Sequence, residues 1–149
     1  MADPARHPLV ERLVTGVGLP EVGAAGVDAF LAGPGDVVLL FTEDLTKHPE
    51  SGDVAVILPE IMRVFPGRFR AAVVERASER ELQKRFGFAR WPALVFVRSG
   101  ELVGAITGMH DWEEFVARVR ELLDAPTRRE IAAAAVRDNT LAANPEGLS

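Results

Sequence analysis

The sequence predicts an α/β fold: a mixed sheet with helices on both faces, extended by a helical C-terminal tail. Three observations predict it. Residues 36–42 (DVVLLFT) form an unbroken apolar run, the pattern of a central strand covered on both faces. Residues 54–65 then carry a single apolar stripe at helical spacing. Residues 93–98 and 101–107 read as strands separated only by Ser99-Gly100, which makes them a hairpin and therefore antiparallel.

The elements follow in order. Leu9, Val10, Leu13 and Val14 lie at helical spacing behind Pro8, with Gly16 and Gly18 to end the helix. Leu19 to Val22 is a candidate short strand. Val27 to Leu31 is a candidate short helix closed by Gly33-Pro34-Gly35. Residues 43–53 are polar, contain Pro49 and Gly52, and read as a loop at the end of the first central strand. In the helix over 54–65, Val54, Ile57, Leu58, Ile61, Met62 and Phe65 form the stripe. Pro59 interrupts it and removes one helix hydrogen bond at a cost of about 3 kcal/mol. Burial of the stripe, at about 1.5–3 kcal/mol per large side chain, outweighs that cost, so a kinked helix is expected and not a broken one.

Residues 69–75 are a second strand. Ser78-x-x-Glu81 has the form of a capping box for a short helix carrying Leu82 and Phe86, ended by Gly87. Gly104 marks a bulge or a close approach in the last strand. Asp111 is placed to cap a final core helix whose stripe is Trp112, Phe115, Val116, Val119, Leu122 and Leu123, ended by Pro126. The chain divides into a domain over 1–125 and a tail over 126–149. The tail is expected to be a loosely docked or frayed helix where alanine dominates, with a disordered end after Asn144. Strand–helix–strand over 36–75 implies a parallel pair with a crossover, and the hairpin adds an antiparallel edge.

Composition narrows the chemistry. The 149 residues contain no cysteine, so disulfide exchange, thiol catalysis, cysteine-ligated zinc and iron–sulfur clusters are excluded. The N-terminus has no apolar stretch of signal-peptide length, and no window approaches a membrane span, so a cytoplasmic protein without membrane insertion is expected. The net charge of −5 argues against nucleic acid as a partner. Charge is unevenly spread: residues 43–53 sum to −3, and residues 63–90 sum to +5. Ordinary solvated surface is the alternative reading of both. His7, His48 and His110 lie in separate segments without metal-ligand spacing, so no metal and no cofactor is expected. No nucleophile elbow or phosphate-binding glycine pattern is present.

The element order, with Pro59 inside the helix after the first central strand, resembles thioredoxin. Phe86-Gly87-Phe88-Ala89-Arg90-Trp91-Pro92 is similar to the stretch that leads into the family's cis-proline and following strand. Arg98-Ser99-Gly100-Glu101 resembles its hairpin turn, and Gly108 the glycine after its last strand. The resemblance covers about residues 36–124 and implies a cis Trp91-Pro92 bond. Position alone would also allow a trans proline at a strand start. Where thioredoxins carry Cys-x-x-Cys, this sequence has the longer acidic segment 42–53, so the family's catalytic residues have no counterpart.

Three features together resemble the HyaE/HupG-type hydrogenase expression proteins: the cysteine-free acidic loop, Arg85-Phe86-Gly87 followed by Trp-Pro, and Gly108-Met109-His110-Asp111-Trp112. This implies a non-enzymatic chaperone for [NiFe]-hydrogenase maturation. Its partner would be the hydrogenase small-subunit precursor with its twin-arginine signal peptide, and other hydrogenase accessory proteins are further partners. Glu43, Asp44, Glu50 and Asp53 are the candidate acceptors for basic side chains, with His48 beside them as a peptide contact or a solvated residue. Trp91 and Pro92 are the candidate surface for an extended peptide, with a Trp91 packed in the core as the alternative. Two other functions compete. One is a cysteine-free enzyme, against which no nucleophile–base pair is visible. The other is a structural subunit of a maturation complex that contacts the folded small subunit, joined through the basic segment 63–90.

Overall fold

The apolar run at 36–41 folds as the most deeply buried strand. A computed structural model describes residues 6–143, with side chains described as far as residue 137. The disordered end expected after Asn144 lies outside the described residues. Among these, five strands form one sheet: β1 (Glu21–Val22), β2 (Asp36–Phe41), β3 (Phe69–Val74), β4 (Ala93–Arg98) and β5 (Glu101–Thr107). Their spatial order is β1-β3-β2-β4-β5. β3 runs parallel to both β1 and β2, while β4 is antiparallel to β2 and to β5. This is the thioredoxin-like mixed sheet that the sequence predicts.

The helices are α1 (Pro8–Glu11, continued by a π-helical turn over Arg12–Val17), α2 (Val27–Leu31), α3 (Glu50–Val64), α4 (Glu79–Phe86), α5 (Trp112–Asp124) and α6 (Arg128–Ala143). Strand alternation divides the core in two. Val38 and Leu40 face Val10, Leu58, Ile61, Phe115 and Val119, so α1, α3 and α5 cover one side. Val37, Leu39 and Phe41 face Val27, Leu31, Leu82 and Phe86, so α2 and α4 cover the other. No described helix is long and apolar enough to cross a membrane.

Several local expectations need correction. α3 begins at Glu50, four residues before its apolar stripe, so Glu50 and Asp53 sit in a helical first turn and not in a loop. Acidic side chains are favoured there by the unpaired N–H groups and the helix dipole. As expected, Pro59 does not break the helix, which runs on to Val64. Gly16 lies inside the π-helical turn, and Gly18, at φ 90°, ends it. Ser78 forms no capping box: its backbone is already helical, and its hydroxyl accepts the N–H of Ala24 at 2.9 Å. Asp111 occupies the N-cap of α5 but makes no capping hydrogen bond. Trp112 is 43% exposed, so the buried stripe of α5 is Phe115, Val119 and Leu123.

The β4–β5 hairpin turns through Ser99 (φ 54°) and Gly100 (φ 77°), two positive values as a type I′ turn requires. The register slips between Phe96 and Val97, beside Gly104. A Cβ on Gly104 would lie 2.7 Å from Leu122 Cδ2, so this glycine admits α5 closely to the sheet.

Candidate functional site

The site begins where β2 leaves the sheet. Glu79, in the first turn of α4, is 2% exposed. Its Oε2 accepts the N–H of Thr42 at 2.7 Å, and both its oxygens accept the N–H of Glu43 at 3.2 Å. The Ser51 hydroxyl donates to the Thr42 carbonyl at 2.6 Å. The end of β2 is therefore held from both α4 and α3. Glu43 sits at φ 54°, a conformation uncommon for a residue with a side chain.

The Glu43 side chain is buried and folds back on its own loop. Its Oε1 accepts the N–H of Asp44 at 2.9 Å. Arg76 reaches Oε1 at 3.3 Å and Arg80 reaches Oε2 at 2.8 Å. The Asp44 N–H, aided by the two guanidiniums, holds the Glu43 carboxyl below its ordinary pKa, against the opposing effect of burial. Glu79 moves the other way: burial raises it, although the Thr42 and Glu43 N–H groups and Arg76 favour its charged form. Asp44 is half-buried and accepts the N–H and hydroxyl of Thr46 at 2.9 and 2.7 Å, and the Thr46 hydroxyl is the leading cause of its lowered pKa. A cleft of about 720 Å³ borders this loop and is walled by Arg6, His7, Leu45, Thr46, Glu75 and Arg76. It opens at the carboxyl ends of β2 and β3, where α/β sheets commonly take ligands.

The remaining residues meet beside it. The Trp91-Pro92 peptide is cis. The half-buried Trp91 ring packs edge-on against Phe88, with centroids 5.2 Å apart, and lies 6.3 Å from Phe41. His48 approaches the same indole at 6.5 Å. Pro92 is buried, and its carbonyl accepts the N–H of Gly108 at 2.8 Å. Glu50 reaches forward from α3, and its Oε1 accepts the N–H of Met109 at 3.0 Å. Three connections thus converge: β2–α3, α4–β4 and β5–α5.

The seven candidate residues fall into three places. Glu43 and Asp44 line the cleft, with Glu43 already paired to two arginines of the same chain. His48, Glu50, Trp91 and Pro92 lie at the junction of the three connections. Asp53 is exposed on α3. Glu79 and Ser51, which shape the loop, were not apparent from the sequence. A glutamate or serine in a first helical turn is ordinary, and no local pattern marks one that reaches another element. Among the described residues, no group of three or more His, Asp or Glu side chains is placed to hold a metal ion.

The family model for Hydrogenase-1 expression protein HyaE matches residues 9–115. The chain belongs to this family. The hydrogenase expression/formation protein HoxO of Cupriavidus necator is 47% identical over 124 residues, which are 82% of this chain and 77% of that protein. HupG of Bradyrhizobium diazoefficiens is 45% identical over 123 residues, 80% of this chain and 82% of its own. The crystal structure of a protein described as HupG from Rhodopseudomonas palustris superposes with a TM-score of 0.52 at 40% identity, covering 70% of this chain and 94% of that one. HyaE-family membership carries an accessory role in hydrogenase expression and formation.

Proposed function

We propose that this HyaE-family protein is a non-enzymatic, non-redox chaperone acting in the cytoplasm. It binds the hydrogenase small-subunit precursor and engages its twin-arginine signal peptide at the surface shared by residues 43–53 and Trp91-Pro92. The observation that carries this reading is the approach of His48 to Trp91, which joins the acidic segment to the residue before the cis-proline. Trp91 lies just ahead of β4, outside its ladder with β2, so its backbone groups are positioned to meet an extended segment. Asp44 and Asp53 supply carboxylates for arginine side chains. Glu43 contributes mainly by fixing the loop, since Arg76 and Arg80 occupy it.

Titration calorimetry with the small-subunit precursor, with and without its signal peptide, tests the proposal. Binding that requires the signal peptide and weakens with salt is the expected result. Asp44→Lys combined with Asp53→Lys should weaken it most at low ionic strength. Equal binding to both precursor forms would instead place the contact on the folded subunit, and absence of binding would overturn the proposal.

A further inference from the structure

We propose that the β5–α5 turn carries a docking surface for a basic segment with interleaved apolar side chains. The proposal rests on the preceding reading for the occupant being a peptide, and it adds a wall that the reading lacks. Gly108, at φ 77°, turns the chain after β5. Its N–H is fixed to Pro92 and the next N–H, that of Met109, to Glu50. The turn is thereby anchored on both sides of the site. Beyond it, Met109 is 37% and Trp112 43% exposed. Trp112 opens α5 at a position where helical periodicity would bury it, yet only Phe115, Val119 and Leu123 of that helix are buried. Two large, polarizable apolar side chains are thus left open to solvent within four residues of chain.

Carboxylates dominate the charge on the two segments that flank them. Glu50, Asp53, Asp111, Glu113 and Glu114 are all exposed. Glu114 is taken by His110 and Arg118. Asp111, despite its capping position, makes no capping bond. No lysine or arginine occurs from residue 48 to 62 on the α3 side or from 102 to 117 on the β5–α5 side. An apolar patch on a turn held by Glu50 and followed by Asp111, Glu113 and Glu114 selects against acidic partners. It favours arginine or lysine, whose guanidinium or ammonium can pair with these carboxylates and lie over the indole. The apolar side chains of the same segment then cover Met109 and Trp112.

The sequence contains two tryptophans, so the indole N–H signals of Trp91 and Trp112 report the two walls separately. The experiment is a nuclear magnetic resonance titration of the full chain with three synthetic hexapeptides: (Arg-Leu)3, (Arg-Ser)3 and (Glu-Leu)3. The Trp112 indole should shift saturably with (Arg-Leu)3. It should require about tenfold more (Arg-Ser)3 and stay unmoved by (Glu-Leu)3. Trp112→Ser, at an exposed position, should fold normally and bind (Arg-Leu)3 about tenfold more weakly. If (Arg-Leu)3 moves Trp91 but leaves Trp112 fixed, this surface is overturned while the preceding reading stands. If it moves Trp112 alone, this surface stands and the role given to Trp91 falls. If neither indole moves, both fail. Equal response to (Glu-Leu)3 or to (Arg-Ser)3 would also overturn the proposal.

Discussion

Arg98 grips Asp36 across the β2–β4 pair through two parallel bonds, Nε to Oδ1 at 2.8 Å and Nη2 to Oδ2 at 3.0 Å. The same guanidinium donates to the carbonyls of Leu122, Leu123 and Ala125 at the end of α5 and to Glu130 in the first turn of α6. Asp36 and Glu130 hold the guanidinium firmly charged, with its pKa raised. One side chain therefore fastens the sheet, the last turn of α5 and the start of α6.

Arg98→Lys keeps the charge and loses the planar fork. It should lower unfolding stability by about 2 kcal/mol, read from the urea midpoint, because several charge-assisted bonds go at once. Hydrogen exchange should accelerate in α6 more than in α3. Uniform acceleration would show that α6 is not held through Arg98.

Acid and neutral pH should affect the β2 end in opposite ways. The Glu43 pKa is lowered on folding, so its stabilising contribution is complete above the ordinary glutamate value, about pH 4.3, and is lost as pH falls through the lower folded value. The Glu79 pKa is raised, so between about pH 4.3 and that higher value the folded protein binds more protons than the unfolded chain, and stability declines as pH rises. Glu79→Gln keeps a carbonyl acceptor for Thr42 and Glu43. It should abolish the decline above pH 4.3 and leave the acid-side loss in place, as measured by urea unfolding across pH. Persistence of the decline would assign it to another group.

Gly108→Ala places a side chain at φ 77°, where the nearest atom to the new Cβ, Glu50 Oε1, is 3.7 Å away. Space is adequate, so the cost is conformational, about 1–2 kcal/mol. The measurement is the unfolding free energy, and a loss below about 0.5 kcal/mol would mean that the turn relaxes. Weaker peptide binding should accompany the loss, since the bonds to Pro92 and Glu50 depend on this conformation.

Pro59→Ala restores a donor inside α3. The helix gains about 3 kcal/mol from the missing bond and the relieved ring contact, and the unfolded chain gains about 1 kcal/mol of freedom. A net stabilisation of about 2 kcal/mol should raise the thermal midpoint. A lowered midpoint would show that packing around the proline outweighs its helix cost.

Most of the sheet was legible because its residues act locally. The apolar run of β2, the Ser99-Gly100 turn and the Phe115–Val119–Leu123 stripe each declare their element through periodicity alone. The first turn of α3 was not legible, since a helix start carries no apolar period and its carboxylates look like those of a loop. Trp112 misled for the opposite reason: it has the right spacing for burial, yet it stands at the first turn of α5 and is left 43% exposed. The acidic segment was visible as charge, but not that Glu43 would be claimed by Arg76 and Arg80. That pairing depends on how β3 and β2 lie side by side, as does the reach of Glu79 across 37 positions to Thr42.

The clamp of Glu79 on Thr42 and Glu43 bears on the tempo of recognition. A segment docking at this loop meets a contour that already exists, so little ordering entropy is spent at the encounter. Its arrival then follows diffusion and the field of the carboxylates, and the lifetime of the complex rests on how fast it leaves. A handover step needs that combination: capture that is quick, and a residence time that can be tuned by single side chains without remaking the receptor.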